Sequence, residues 1–314
     1  MSSLAQKYKI PLIKQRADPF IWKHTDGYYY FTASVPEYDR IEIRRAASIE
    51  GLVTAEPVTV WKKHPHGEMS QLIWAPELHY IDGRWLVYFA AGHTMEVFDH
   101  RMYTLACDGV NPLECPFAEL GRIDTGRDEF ALDATTFMHN GQQYLIWAEH
   151  DKAIGGNTNL YISRMADPVT LETPPVMLTK PEYDWECVRF LVNEGPAVVS
   201  RGDRIFLSYS ASGVGREYCI GLLWADKKSD LLDAGSWTKS KVPVFQTSDK
   251  NSLYGPGHNS FTIAGDGKTD LLVYHARPYE HIEGDPLFDP NRHTCVQPFE
   301  WDDNDMPVFG EPGG

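Results

Sequence analysis

The hydrophobic positions of the chain fall in short β-branched and aromatic runs, each bounded by Gly, Asp, Asn or Pro. Such runs read as strands, because branched and aromatic side chains fit a pleated, half-buried surface. Several are joined by tight turns. His24-Thr-Asp-Gly-Tyr28 separates Phe20–Lys23 from Tyr28–Ala33, and Tyr80-Ile-Asp-Gly-Arg84 separates Glu77–Tyr80 from Trp85–Ala90. Met138-His-Asn-Gly-Gln142, Ser200-Arg-Gly-Asp-Arg204 and Ala264-Gly-Asp-Gly-Lys268 repeat the arrangement further on. Asp-Gly and Asn-Gly are strong hairpin signals because these turns need positive φ. The 3.6-residue period of an amphipathic helix is nearly missing, and only short pieces such as Asp226 to Ala234 fit one.

The hairpins recur at an even interval. Loop-to-strand junctions near Asp18, Ala75, Asp133, Glu194 and Pro256 stand 57, 58, 61 and 62 residues apart. Five units of about 60 residues, each able to supply four strands, match the blades of a β-propeller. A parallel β-helix needs shorter repeats, and a sandwich leaves the even spacing unexplained. The prediction is an all-β, five-bladed β-propeller, with residues 1–314 as a single catalytic domain and no linker dividing it. Tyr8 to Lys14 is expected to pair with the last blade and close the ring. Trp301 to Gly314, rich in Asp, Pro and Gly, is expected to fray after a last strand near Val296–Trp301.

This topology gives three carboxylates a common address. In a propeller the first strand of each blade is innermost, and its start opens on one face. Asp18, Asp133 and Glu194 stand at the starts of units one, three and four, so they should ring one mouth of the channel. Glycosidic hydrolysis needs an acid for the leaving oxygen and a second carboxylate to activate water or to attack the anomeric carbon. Crowded carboxylates also raise one another's pKa, which keeps one of them protonated near neutral pH. An isolated Asp or Glu is more often a turn cap or a solvated group. The shared position is what lifts these three above that reading.

Composition narrows the partners. Lys and Arg total 29 against 44 Asp and Glu, a net charge of −15, which repels phosphate backbones and argues against nucleic acid. Solubility alone would explain the acidity equally well. Aromatic residues make up 12% of the 314 and include nine tryptophans, a supply of stacking surfaces for sugars. No run approaches 18 apolar residues, and Met1 to Lys9 has no apolar signal core, so no membrane partner is expected. The five cysteines are odd in number and lack a C-x-x-C pair, which argues against structural zinc or a disulfide framework. Reduced thiols and a cytoplasmic location are the expectation; a secreted protein whose leader has been removed reads the same way.

Six segments make the reading specific: Ala17-Asp-Pro-Phe-Ile21, Ile73-Trp-Ala-Pro-Glu77, Leu132-Asp-Ala-Thr135, Asn193-Glu-Gly-Pro196, Gly255-Pro-Gly-His-Asn-Ser260 and Tyr274-His-Ala-Arg277. In this order, across nearly the whole chain, they resemble glycoside hydrolase family 43, the five-bladed propeller arabinosidases and xylosidases. The resemblance implies an inverting mechanism with Asp18 as general base, Glu194 as general acid and Asp133 orienting Glu194 and tuning its pKa. It implies that Arg277 contacts sugar hydroxyls, the alternative being a salt bridge to one of the acidic trio. His258 would line the pocket or shape its turn, and Trp74 would stack on the sugar or belong to the core. His275 would sit beside a channel calcium ion or its waters, or else be a buried histidine bonded to a neighbour's backbone. No Asp-rich calcium loop is present, and no cofactor is required for the chemistry. Ser70–Glu77 and Asp124–Asp133 look most like the branch that releases arabinofuranose from the non-reducing end of α-1,5-linked arabino-oligosaccharides. A β-xylosidase, an endo-arabinanase and a non-catalytic carbohydrate-binding or interaction propeller are the alternatives. The acidic trio argues against the last, since a scaffold has no need for it.

Overall fold

The computed structural model describes residues 8–314. Each hairpin foreseen above forms, with a positive-φ glycine at its turn, Gly27, Gly83, Gly141, Gly202 and Gly267. The first blade is Ala17–Lys23, Tyr29–Ser34, Arg40–Ala46 and Val58–Lys62, paired in that order, and the second is Gln71–Ile81, Arg84–Gly92, Arg101–Cys107 and Ala118–Arg122. The third orders Ala131–His139, Gln142–Glu149 and Asn159–Asp167, with Val176–Thr179 outside them. The fourth is Asn193–Arg201, Arg204–Ala211, Cys219–Asp226 and Thr238–Lys239, and the fifth is Tyr254–Ile263, Asp270–Arg277 and His293–Pro298. Inner strands pack in sequence around the axis, and Tyr254–Ile263 returns against Ala17–Lys23. The described chain is therefore the expected five-bladed propeller.

The core lies between blades, where one sheet's face meets the next. Leu86 and Tyr88 of blade two pack with Leu145, Trp147 and Tyr161 of blade three, all at most 2% exposed. Each side chain so buried contributes about 1.5–3 kcal/mol. The ring is closed by the N-terminal segment: Ile13 bridges Thr294 at the outer edge of blade five, with Thr294 N–H donating to Ile13 C=O at 2.9 Å. This is the pairing foreseen for Tyr8 to Lys14.

Three expectations are corrected. The tail does not fray: Glu300–Trp301 pairs with Pro307–Val308, Phe309 is buried, and Gln297 Nε2 donates to Phe309 C=O at 2.8 Å. Asp226 to Ala234 forms turns rather than a helix. Asp226, Asp230 and Asp233 each accept from the amide two residues on, a local bond that competes with helical pairing. Cys107 and Cys115 form a disulfide across the outer part of blade two, while Cys187, Cys219 and Cys295 are free. The eight-residue separation left no C-x-x-C signal by which to find it. Among the described residues no helix is long and apolar enough to cross a membrane.

Candidate active site

The same irregularity marks the inner strand of every blade. The register slips between Ala17 and Phe20, Trp74 and Glu77, Leu132 and Thr135, Glu194 and Ala197, and Gly257 and Ser260. Inside each slip one residue has positive φ: Asp18 (53°), Ala75 (46°), Asp133 (57°), Gly195 (53°) and His258 (42°). A bulge of this kind re-aims a side chain, and four non-glycine residues held in the left-handed region store strain at one level of the channel. The equivalent positions are thus Asp18, Ala75, Asp133, Gly195 and His258. Glu194 lies one residue before its bulge, so its side chain takes the alternate direction.

The bulges knit the blades together through their freed amides. Ala75 N–H donates to Ser34 Oγ at 2.8 Å, His258 N–H to Ser210 Oγ at 2.7 Å, and Gly195 N–H to Asp133 Oδ2 at 3.0 Å. Asp18 N–H donates to Nδ1 of His275 at 3.1 Å. Blades one, three and five then meet at His258, whose Nδ1 lies 3.3 Å from Asp18 Oδ1 and 3.9 Å from Asp133 Oδ2. Gly195 is glycine for a second reason: a Cβ there would stand 3.0 Å from His258 Cγ.

These surroundings push the carboxylates apart. Burial opposes ionisation of Asp18, but the Arg292 guanidinium and His258 outweigh it and hold its carboxyl well below the ordinary range. Arg292 Nη1 is 3.3 Å from Asp18 Oδ1, and Ser34 Oγ donates to Asp18 Oδ2 at 2.6 Å. Burial raises Asp133, helped by the Asp18 charge and opposed by His258. Burial and the Asp133 charge raise Glu194 to about 7, against an opposing hydrogen bond from Tyr218, whose hydroxyl lies 2.7 Å from Oε1. His258 is raised despite burial by Asp18, Asp133 and Glu194, so it favours imidazolium. Burial drives His275 the other way, to about 3, and it stays neutral. The mouth therefore offers an ionised carboxylate, Asp18, and a protonated one, Glu194, the pairing that acid–base hydrolysis needs.

Glu194 opens into a cavity of about 320 Å³ that Trp74 and Leu132 also line. Trp74 stacks on His100 at 3.9 Å, and its Nε1–H is buried with no protein acceptor among the described residues. Arg277 does not reach this cavity. It is 1% exposed, with Nη1 donating to Val214 C=O at 3.1 Å and Nη2 to Pro286 C=O at 2.7 Å. Its carboxylate neighbour is Asp289, at 3.7 Å, and not one of the acidic trio. It joins two loops that wall the pocket, because a buried guanidinium must spend its donors on protein carbonyls. The arginine at the acidic trio is Arg292, which sequence reasoning missed, as it missed Tyr218. Arg292 carries no motif. Tyr218 left an indirect trace in Gly255-Pro-Gly257: a Cβ on Gly257 would fall 2.3 Å from the Tyr218 ring.

A channel cation has little to hold it. Calcium takes six to eight oxygens, and among the described residues no group of three His, Cys, Asp or Glu could bind a metal. His275 Nδ1 accepts the Asp18 amide, which leaves Nε2 as a buried N–H without a protein partner. That donor suits a water oxygen. The residues do not fit a cation bonded directly to His275.

Known proteins resemble this chain over most of its length. Over 302 residues the chain is 53% identical to an extracellular exo-α-(1→5)-L-arabinofuranosidase of Streptomyces avermitilis, covering 96% of this chain but 63% of that protein. A protein of the same name from Streptomyces chartreusis is 50% identical, over 89% of this chain and 85% of its own length. A solved α-L-arabinofuranosidase from Lactobacillus brevis superposes with a TM-score of 0.96 at 59% identity, with 98% of each chain covered. The family model described as glycosyl hydrolases family 43 matches residues 8–307, and the chain belongs to that family.

Proposed function

We propose that the chain is an inverting, exo-acting α-L-arabinofuranosidase that releases arabinofuranose from the non-reducing end of α-1,5-linked arabino-oligosaccharides. The observation that carries the chemistry is the meeting of Asp18, Asp133 and Glu194 at one channel mouth, where Arg292 and His258 favour the ionised form of Asp18 and burial with Asp133 favours the protonated form of Glu194. With the terminal sugar bound, Asp18 takes a proton from water as that water adds to the anomeric carbon. Glu194 gives its proton to the departing glycosidic oxygen, and the anomeric configuration inverts. Asp133 holds the Gly195 amide beside Glu194 and raises the acid's pKa; His258 and Arg292 keep Asp18 ionised. Asp18 is engaged by Ser34, His258 and Arg292, and Glu194 by Tyr218, so each carboxyl has its own set of partners. No step needs a metal ion.

Three observations support the substrate class. Relatives similar in sequence and in structure are named arabinofuranosidases. The cavity of about 320 Å³ beside Glu194 suits the end of a short oligosaccharide rather than a threaded polymer. Trp74 contributes an aromatic side chain to its wall. The test is a parallel assay of arabino-oligosaccharide, aryl β-xyloside and linear arabinan, with proton NMR of the first sugar released. The expected result is arabinose of inverted configuration from the first substrate. Faster hydrolysis of the xyloside, internal cuts in arabinan, or retained configuration would each overturn the corresponding part.

A further inference from the structure

Asn193 stands immediately before the general acid, in the segment Asn193-Glu-Gly-Pro196, and acid–base chemistry leaves it unused. It is fully buried at the start of the inner strand of blade four. Each of its polar groups is bonded. Its N–H donates to Thr158 C=O at 3.1 Å, and its C=O accepts from Thr158 Oγ1 at 3.0 Å. In the side chain, Oδ1 accepts from Thr179 Oγ1 at 3.3 Å. Nδ2 donates to Glu186 Oε1 at 3.1 Å and to Val192 C=O at 3.0 Å. Thr158 adjoins one strand of blade three and Thr179 ends another, so Asn193 is clamped across the joint between two blades.

Glu186 is the far anchor of this clamp. Its side chain has no exposure, and it lies in the loop that leads into the strand. Oε1 accepts from Tyr209 Oη at 2.8 Å as well as from Asn193. Oε2 accepts from Lys239 Nζ at 2.9 Å and from the amides of Glu182 and Tyr183 at 3.0 Å and 2.9 Å. A carboxyl group taken this far from water persists only where donors surround it. Donors from two strands of blade four and from the loop fix it in one place, and Asn193 inherits that rigidity.

We propose that Asn193 is the positioning residue of the general acid, and that Glu186 acts through it. This rests on the reading of Glu194 as the acid. The main chain on one side of Glu194 enters the left-handed bulge at Gly195, whose amide Asp133 holds. On the other side it is held by Asn193. The acid must stand within hydrogen-bond reach of the leaving oxygen, and a misplacement of about 1 Å costs about 10²-fold. Loosening Asn193 therefore costs proton delivery first. A nitrophenolate leaves without a proton and an alkoxide does not, so only the second leaving group feels a misplaced acid.

The test compares kcat/KM on α-1,5-arabinobiose and on 4-nitrophenyl α-L-arabinofuranoside. In Asn193→Ala the loss on the biose should exceed the loss on the aryl glycoside at least tenfold. Thr158→Val is isosteric and removes the hydroxyl that holds Asn193 C=O, so it should split the two losses in the same direction. It carries the test alone if melting shows that Asn193→Ala does not fold. Tyr209→Phe is the control: it takes the other bond from the same Glu186 oxygen and spares Asn193, so both substrates should lose equally. Equal losses in the folded Asn193 or Thr158 variants, or the same split in Tyr209→Phe, would show a scaffold role and overturn the proposal. Glu194→Ala reports separately on the acid assignment: it should split the two substrates most, and equal losses there would remove that assignment and the proposal with it.

Discussion

Replacing Tyr218 by Phe isolates one bond to the acid. The Tyr218 hydroxyl donates to Glu194 Oε1 at 2.7 Å, and burial with the Glu194 charge holds the phenol's own pKa well above its ordinary value, so it acts only as a neutral donor. Its ring is fixed without the hydroxyl, stacked on His275 at 5.7 Å and pressed against Gly257. The bond favours the carboxylate form of Glu194, so losing it raises the acid's pKa. A hydrogen bond to a charged group contributes about 1.5–3 kcal/mol, and 1.36 kcal/mol corresponds to one pKa unit. Glu194 opens onto the pocket, where water replaces part of the lost bond, so the lower end applies, an upward shift of about one unit. The assay is kcat/KM on α-1,5-arabinobiose across pH, because an unactivated leaving group depends fully on protonation. In the wild type the basic limb should follow Glu194 at about 7. In Tyr218→Phe it should move up by about one unit, with the acidic limb, set by Asp18, in place. A basic limb that stays put or moves down would refute the assignment of Glu194 as the acid tuned by Tyr218.

Other outcomes follow from the same geometry. Asp18→Ala and Glu194→Ala should each lower kcat about 10²–10⁴-fold with the fold retained by circular dichroism, the range general acid or base action is worth. Asp133→Asn removes the negative charge that raises Glu194, so its basic limb should shift to lower pH, opposite in sign to Tyr218→Phe. Gly195→Ala imposes a left-handed alanine at about 1–2 kcal/mol and crowds His258; differential scanning calorimetry should show the destabilisation and kinetics a loss of at least tenfold in kcat. Arg277→Met should raise KM more than it lowers kcat, because it unties the loops at Val214 and Pro286 without touching the acidic trio.

The sequence by itself determined the architecture. Turn glycines, period-two runs and the spacing of about 60 residues are local facts, since chirality and strand chemistry act within a few residues. The same regularity exposed Asp18 and Asp133, which truly occupy equivalent positions. It placed Glu194 among them, one residue away from the true equivalent, Gly195, because a bulge is invisible until strands pair. Only the tertiary structure decided which charges meet. Arg277 sits in a recognisable motif yet faces carbonyls, while Arg292, with no motif, reaches Asp18 across the ring. The Cys107–Cys115 bond and the ordered tail were settled in the same way. Titration in a buried site depends on neighbours hundreds of residues away along the chain but about 3 Å away in space, and only folding brings them there.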